Sequence, residues 1–115
     1  MVGPKPILLH SVGRWYSLSR MTVPRRQHAC TKVTLNGRPG LVVSGGMMTR
    51  GEANMTSVEF YDVTSGQWVS LPSLNTGRRG HAMMVERGRL VVVGGMQGSD
   101  EKYYLQDMEI FNGER

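Results

Sequence analysis

SVEFYDVTSGQWVSLPSL, residues Ser57 to Leu74, reads as two short strands around a tight turn. Phe60 and Tyr61 stand before Thr64-Ser65-Gly66, and Trp68 stands after it. Gly66 suits a hairpin turn that demands positive φ. Either this is one hairpin among many, or it belongs to a unit that the chain repeats.

The chain repeats. PRRQHACTKV (Pro24 to Val33) matches GRRGHAMMVE (Gly77 to Glu86), sharing Arg-Arg-x-His-Ala. LVVSGGM (Leu41 to Met47) matches LVVVGGM (Leu90 to Met96), and SVEFYDV (Ser57 to Val63) matches DMEIFNG (Asp107 to Gly113). GRWYSL (Gly13 to Leu18) matches GQWVSL (Gly66 to Leu71). The offsets agree: 53 residues from His28 to His81, 49 from Gly45 to Gly94, 50 from Tyr61 to Phe111 and 53 from Trp15 to Trp68. A period near 50 built from short strands points to propeller blades and not to helical solenoids. Four strands are expected per repeat: a over His28–Val33 or Gly80–Glu86, b over Gly40–Ser44 or Arg89–Val93, c over Ser57–Asp62 or Gln106–Asn112, and d from Trp68. The nearly unbroken aliphatic run of b suits a strand buried on both faces. A four-stranded sheet with two apolar faces is not stable alone and must stack on neighbours.

The pattern resembles the kelch repeat. In one repeat Gly45-Gly46 closes strand b, Tyr61 and Asp62 end strand c, and Trp68 lies in strand d. In the other the matching residues are Gly94-Gly95, Phe111 and Asn112, with no Trp before the chain stops at Arg115. Paired glycines allow a sharp turn and a close approach by another backbone or side chain. Tyr61 and Trp68 are placed to pack across their hairpin and on the adjacent blade. The resemblance implies an all-β fold of kelch-type β-propeller blades. Two four-stranded blades per chain are completed to a ring by oligomerisation or by a longer propeller.

The register at the ends is offset. Residues 1–21 hold an isolated strand d at Trp15-Tyr16-Ser17-Leu18, with Ile7-Leu8-Leu9 as a worn strand c. Residues 22–74 form the first repeat, and residues 75–115 form a second that lacks its own strand d. The resemblance implies ring closure by pairing strands from the two chain ends. Two blades cannot close on themselves, so the Trp15 strand of one copy is expected to complete the open blade of the next. Such head-to-tail contacts make rings when the rotation closes, and a homotrimer of six blades is the favoured assembly.

Composition fits this reading. The 115 residues are 39% hydrophobic and 20% charged, and the fifteen glycines fall between short apolar runs, as in an all-β chain rich in turns. No apolar run approaches a membrane span, Ile7-Leu8-Leu9 is too short for a signal-peptide core, and the single Cys30 builds no disulfide framework. A cytoplasmic location is expected. Eleven arginines against three lysines carry the net charge of +5. They are scattered singly or in pairs and form no long run or helical stripe, which argues against a nucleic-acid partner.

Little in the sequence supports catalysis. His28 and His81 occupy equivalent repeat positions, so a shared structural cause is favoured over a metal or a catalytic base. No zinc spacing occurs, nothing beside Cys30 would activate its thiol, and GGMQG (Gly94 to Gly98) lacks the lysine and helix of a phosphate loop. Some kelch-type propellers are copper oxidases using Cys, Tyr and His, but no matching set is present. No cofactor and no catalytic residue is expected. The resemblance instead implies a protein or peptide partner held on the face made by the b–c loops (Met47–Met55, Met96–Tyr104) and the d–a loops (Arg20–Gln27, Ser73–Gly80). The candidate ligand-binding residues there are Arg26, Gln27, Met48, Arg50, Arg79, Gly80 and Tyr103. Arginine forks grip carboxylates and methionine adapts to irregular apolar surface, which suits an acidic, partly apolar peptide. The structural alternative is that the arginines tie loops to backbone carbonyls, most directly for the equivalent pair Arg25 and Arg78. The rival functions are a small-molecule enzyme using the central channel and electrostatic binding of nucleic acid.

Overall fold

The computed structural model describes residues 13–48, 54–98 and 104–112. Seven strands follow one another: β1 (Ala29–Leu35), β2 (Arg38–Ser44), β3 (Val58–Asp62), β4 (Gln67–Leu71), β5 (Ala82–Glu86), β6 (Arg89–Val93) and β7 (Met108–Phe111). They form two antiparallel sheets in sequence order, β1-β2-β3-β4 and β5-β6-β7, with no helix among the described residues. Among the described residues no helix is long and apolar enough to cross a membrane. One chain carries two stacked sheets and does not by itself close a ring.

Local chemistry sets the strand ends. Two-residue turns, Asn36-Gly37 and Arg87-Gly88, join β1 to β2 and β5 to β6. All four residues have positive φ (50°, 79°, 55° and 77°), the type I′ geometry whose twist matches paired strands. The first ladder therefore runs to Leu35↔Arg38, two residues further on each strand than the aliphatic pattern predicts. At the other end β1 and β5 begin after His28 and His81. Gln27 and Gly80, at equivalent positions, have φ of 55° and 65° and cannot extend a strand. Between β3 and β4, Asp62 Oδ1 accepts from the backbone N–H groups of Thr64 (2.9 Å) and Ser65 (3.3 Å), and Gly66 N–H donates to Asp62 O at 2.7 Å. Arg38 Nε donates to the Asp62 carboxylate from β2. Burial alone would raise the Asp62 carboxyl, and these hydrogen bonds together bring it below the usual value.

The strand period of two sorts the side chains. Val33, Val42, Val58 and Phe60 lie on one face of the first sheet and pack with Leu90 of the second; Leu35, Leu71, Leu74, Met83, Val85 and Phe111 close the same core. On the opposite face Tyr61 stands across from Trp68, with ring centroids 5.1 Å apart and planes at 49°. The two sheets thus share one pair of faces. Their outer faces keep large apolar side chains in solvent: Leu41 on the first sheet, and Met84, Met108 and Ile110 on the second.

Trp15 to Leu18, expected as a strand, are unpaired, and Trp15 is 100% exposed. A strand takes its backbone partners from a neighbour, and among the described residues no strand offers them. Ile7 to Leu9 lie outside the described residues.

Candidate functional site

In each repeat a buried arginine clamps its own sheet, Arg25 in the first and Arg78 in the second. Arg25 Nη1 donates to the carbonyls of Gly45 (3.0 Å) and Ser57 (3.1 Å), its Nη2 donates to Ser57 Oγ at 2.9 Å, and Glu59 Oε1 lies 3.6 Å away. Arg78, fully buried, repeats the arrangement 53 residues later. Its Nη1 donates to Gly94 O at 2.9 Å, and its Nη2 donates to the Asp107 carboxylate and to Glu109 Oε2 at 2.9 Å. Glu109 also accepts from the N–H groups of Asn75 (2.7 Å) and Thr76 (3.0 Å), tying the β4–β5 loop to β7. These arginines serve the fold, as the structural alternative had it. Burial lowers Arg25 from its usual value, and Glu59 partly restores it. The sequence reading did not use Glu59 and Glu109, although the repeat sets them opposite each other at equivalent places.

At the first glycine doublet no side chain fits. Gly45 and Gly46 have φ of 64° and 92°. A Cβ on Gly45 would meet Arg78 O at 2.5 Å and His81 Cε1 at 2.7 Å, and one on Gly46 would meet Arg26 O at 2.6 Å. Gly46 N–H donates to Arg78 O at 2.7 Å, so the doublet is where the two sheets join backbone to backbone. His81, buried at this junction, shares a 2.9 Å hydrogen bond with Ser44 Oγ. Burial, with Arg78 and His28 nearby, lowers His81 to about 4 against the pull of Ser44 and Glu109. His28 is also lowered, by burial and by Arg25. A depressed His81 favours the fold when neutral, so its contribution is complete above the unfolded value near 6.5 and is lost as pH falls from there toward 4. Urea midpoints should therefore drop by roughly 1–2 kcal/mol of stability over that interval. In His81→Asn the decline should be shallower, and an equally steep decline would contradict this account.

The loops meet at one end of the two sheets. Arg26 pairs with Met47 through reciprocal backbone bonds of 2.9 and 3.0 Å, and Arg79 pairs with Met96 in the same way at 3.1 and 2.8 Å. Gly80 N–H donates to Gln27 O at 2.8 Å across the sheets, and Asn54 Nδ2 donates to Met96 O at 3.3 Å. The structure leaves Arg26, Gln27, Met48 and Gly80 exposed on this rim. Arg79 differs from the expected free fork: it is 5% exposed, and its Nη1 donates to Asn54 Oδ1 (2.9 Å) and Gly98 O (2.6 Å). Arg50 and Tyr103 lie outside the described residues. Asn54, which bonds to Met96 and Arg79 of the second repeat, was not among the candidate ligand-binding residues, and its repeat counterpart Tyr104 is unlike it.

A second concavity lies between the sheets on the outer side. It is a groove of about 170 Å³ bordered by Val58, Leu71, Leu74, Met83, Leu90 and Phe111, beside the free edge of β7.

The fold and this rim define a chain of two stacked all-β repeats that present their loops together. No protein-family model matches the chain. It is similar to an F-box/kelch-repeat protein of Arabidopsis thaliana, 28% identical over 112 residues. The match covers 91% of this chain and 24% of that protein, so the chain spans about a quarter of the relative's length.

Proposed function

We propose that the chain is a non-catalytic kelch-type module that captures a protein segment, acidic and partly apolar, on its loop rim. The observation that carries this reading is the gathering of both β2–β3-type loops and both inter-repeat loops at one end. Arg26 and Met48 are exposed there, and the backbone of Arg26 bridges to Met47, the neighbour of Met48 in the chain. Backbone ties across the rim hold these groups in place before a ligand arrives, which reduces the ordering cost of binding. The similarity to a kelch-repeat protein supports an interaction role.

The test is fluorescence polarisation with a labelled peptide of alternating glutamate and leucine. Arg26→Glu should weaken binding about tenfold, or about 1.4 kcal/mol, and Met48→Ala a few-fold. The reading fails if Arg26→Glu leaves affinity unchanged. It also fails if a single-stranded oligonucleotide binds more tightly, with affinity falling steeply as salt is raised.

A further inference from the structure

We propose that Ser57 is a phosphorylation site and that Arg25 is the built receptor for its phosphate. The proposal goes beyond peptide capture at the loop rim and stands without it. It begins from one difference between the two arginine clamps. Their backbones match: Gly45 N–H donates to Ser57 O at 3.0 Å, and Gly94 N–H donates to Asp107 O at 3.1 Å. The arginines match as well, each giving Nη1 to the carbonyl of the first glycine of its doublet, at 3.0 and 2.9 Å. Where the second clamp has the carboxylate of Asp107, however, the first has the hydroxyl of Ser57. Arg78 Nη2 meets the two Asp107 oxygens at 3.1 and 3.2 Å, and Arg25 Nη2 meets Ser57 Oγ at 2.9 Å.

The first clamp is therefore short of negative charge. The Arg25 side chain is wholly buried, and the carboxylate that faces it, Glu59, stands off at 3.6 Å. Among the described residues Glu59 Oε1 has no hydrogen-bond partner, whereas both oxygens of Glu109 are bonded. Burial lowers Arg25 from its usual value, as expected of a cation whose hydration is incompletely replaced.

A phosphoryl group on Ser57 brings about −1.5 to −2 charges at neutral pH and three acceptor oxygens. It attaches at the oxygen that Arg25 already holds, and arginine pairs strongly with phosphate. Glu59 does not forbid it, because Arg78 holds Asp107 and Glu109 together at the equivalent place. The site also has an open side. Ser57 is half-buried, Thr56 before it is exposed, and the Asp107 side chain is 52% exposed. Residues 54–57 precede β3 and belong to no strand. The backbone bonds that open to present the hydroxyl are those from Met55 N–H to Gly46 O, Leu74 N–H to Thr56 O and Gly45 N–H to Ser57 O. The reaction is phosphoryl transfer from ATP by a serine kinase. Ser57 Oγ bonds to the γ-phosphorus, its proton passes to the kinase's base, and the bond to the β–γ bridging oxygen breaks to release ADP. The product ties the β2–β3 loop to the segment before β1, as Asp107 and Arg78 tie the second repeat.

The experiment installs phosphoserine at position 57 of the full chain by amber suppression and follows urea unfolding, with and without Arg25→Met. Phosphoserine should raise the urea midpoint by about 0.5 M in the parent, and the gain should vanish in Arg25→Met. The acceptor role is read separately, on the parent chain expressed in insect cells under phosphatase inhibition. Mass spectrometry of the peptide containing residues 54–58 should place phosphate on Ser57 and not on Thr56. A midpoint that phosphoserine lowers or leaves unchanged overturns the proposal. So does a gain that persists without Arg25, or a peptide that carries no phosphate at Ser57.

Discussion

Replacing Arg78 by methionine should cost about 3 kcal/mol, because it removes the buried cation that Glu109 faces and leaves that carboxylate only the amides of Asn75 and Thr76. Asp107 and Glu109 would then share a site with no cation, beside the Gly94 carbonyl that the same guanidinium now satisfies. Methionine matches the stem of arginine but donates nothing. Domains of this size hold about 5–15 kcal/mol in total, so the variant should stand near the limit of folding. Arg25→Met should be milder, about 2 kcal/mol, because Arg25 bonds mainly to neutral carbonyls and a hydroxyl and meets Glu59 only at 3.6 Å. Urea unfolding of both variants against the parent checks the order. Losses under 1 kcal/mol for Arg78→Met, or a larger loss for Arg25→Met, would contradict the clamp.

Gly45→Ala should be far worse than Gly94→Ala in the single chain, although the two glycines are repeat equivalents with nearly equal φ of 64° and 69°. Both substitutions force alanine into the left-handed region, at about 1 kcal/mol each. Only at Gly45 does the new methyl also run into a backbone carbonyl, Arg78 O at 2.5 Å, and into the His81 ring. A backbone collision at the joint between two sheets is relieved only by moving the sheets apart, so the total should reach about 3 kcal/mol or more. In urea unfolding, equal losses at the two positions would show that the joint is looser than its distances indicate.

Much of this architecture could be read from the letters. The repeats at offsets of 49 to 53 residues placed the strands, because an alternating or continuous apolar run and a glycine-bearing turn are local properties. The strand ends shifted by a residue or two. Asn36-Gly37 let the ladder continue to the turn itself, and the positive φ of Gln27 stopped β1 from starting earlier. The candidate rim was only partly legible. Arg26 and Arg79 look identical in sequence, yet one reaches solvent and the other is buried against Asn54 and Gly98. No local pattern separates them, since one of those partners, Asn54, comes from a loop of the other repeat.

By itself the amino-acid order determined that the chain is all-β, that it repeats twice, and that Gly45-Gly46 and Gly94-Gly95 follow matching strands. Each of those rests on sterics and periodicity within a few residues. Tertiary structure alone decided that Ser44 meets His81 across 37 residues of chain, which arginine is sealed in, and which sheet faces are covered. Burial is a sum over neighbours distant in sequence, and no stretch of the chain carries that sum.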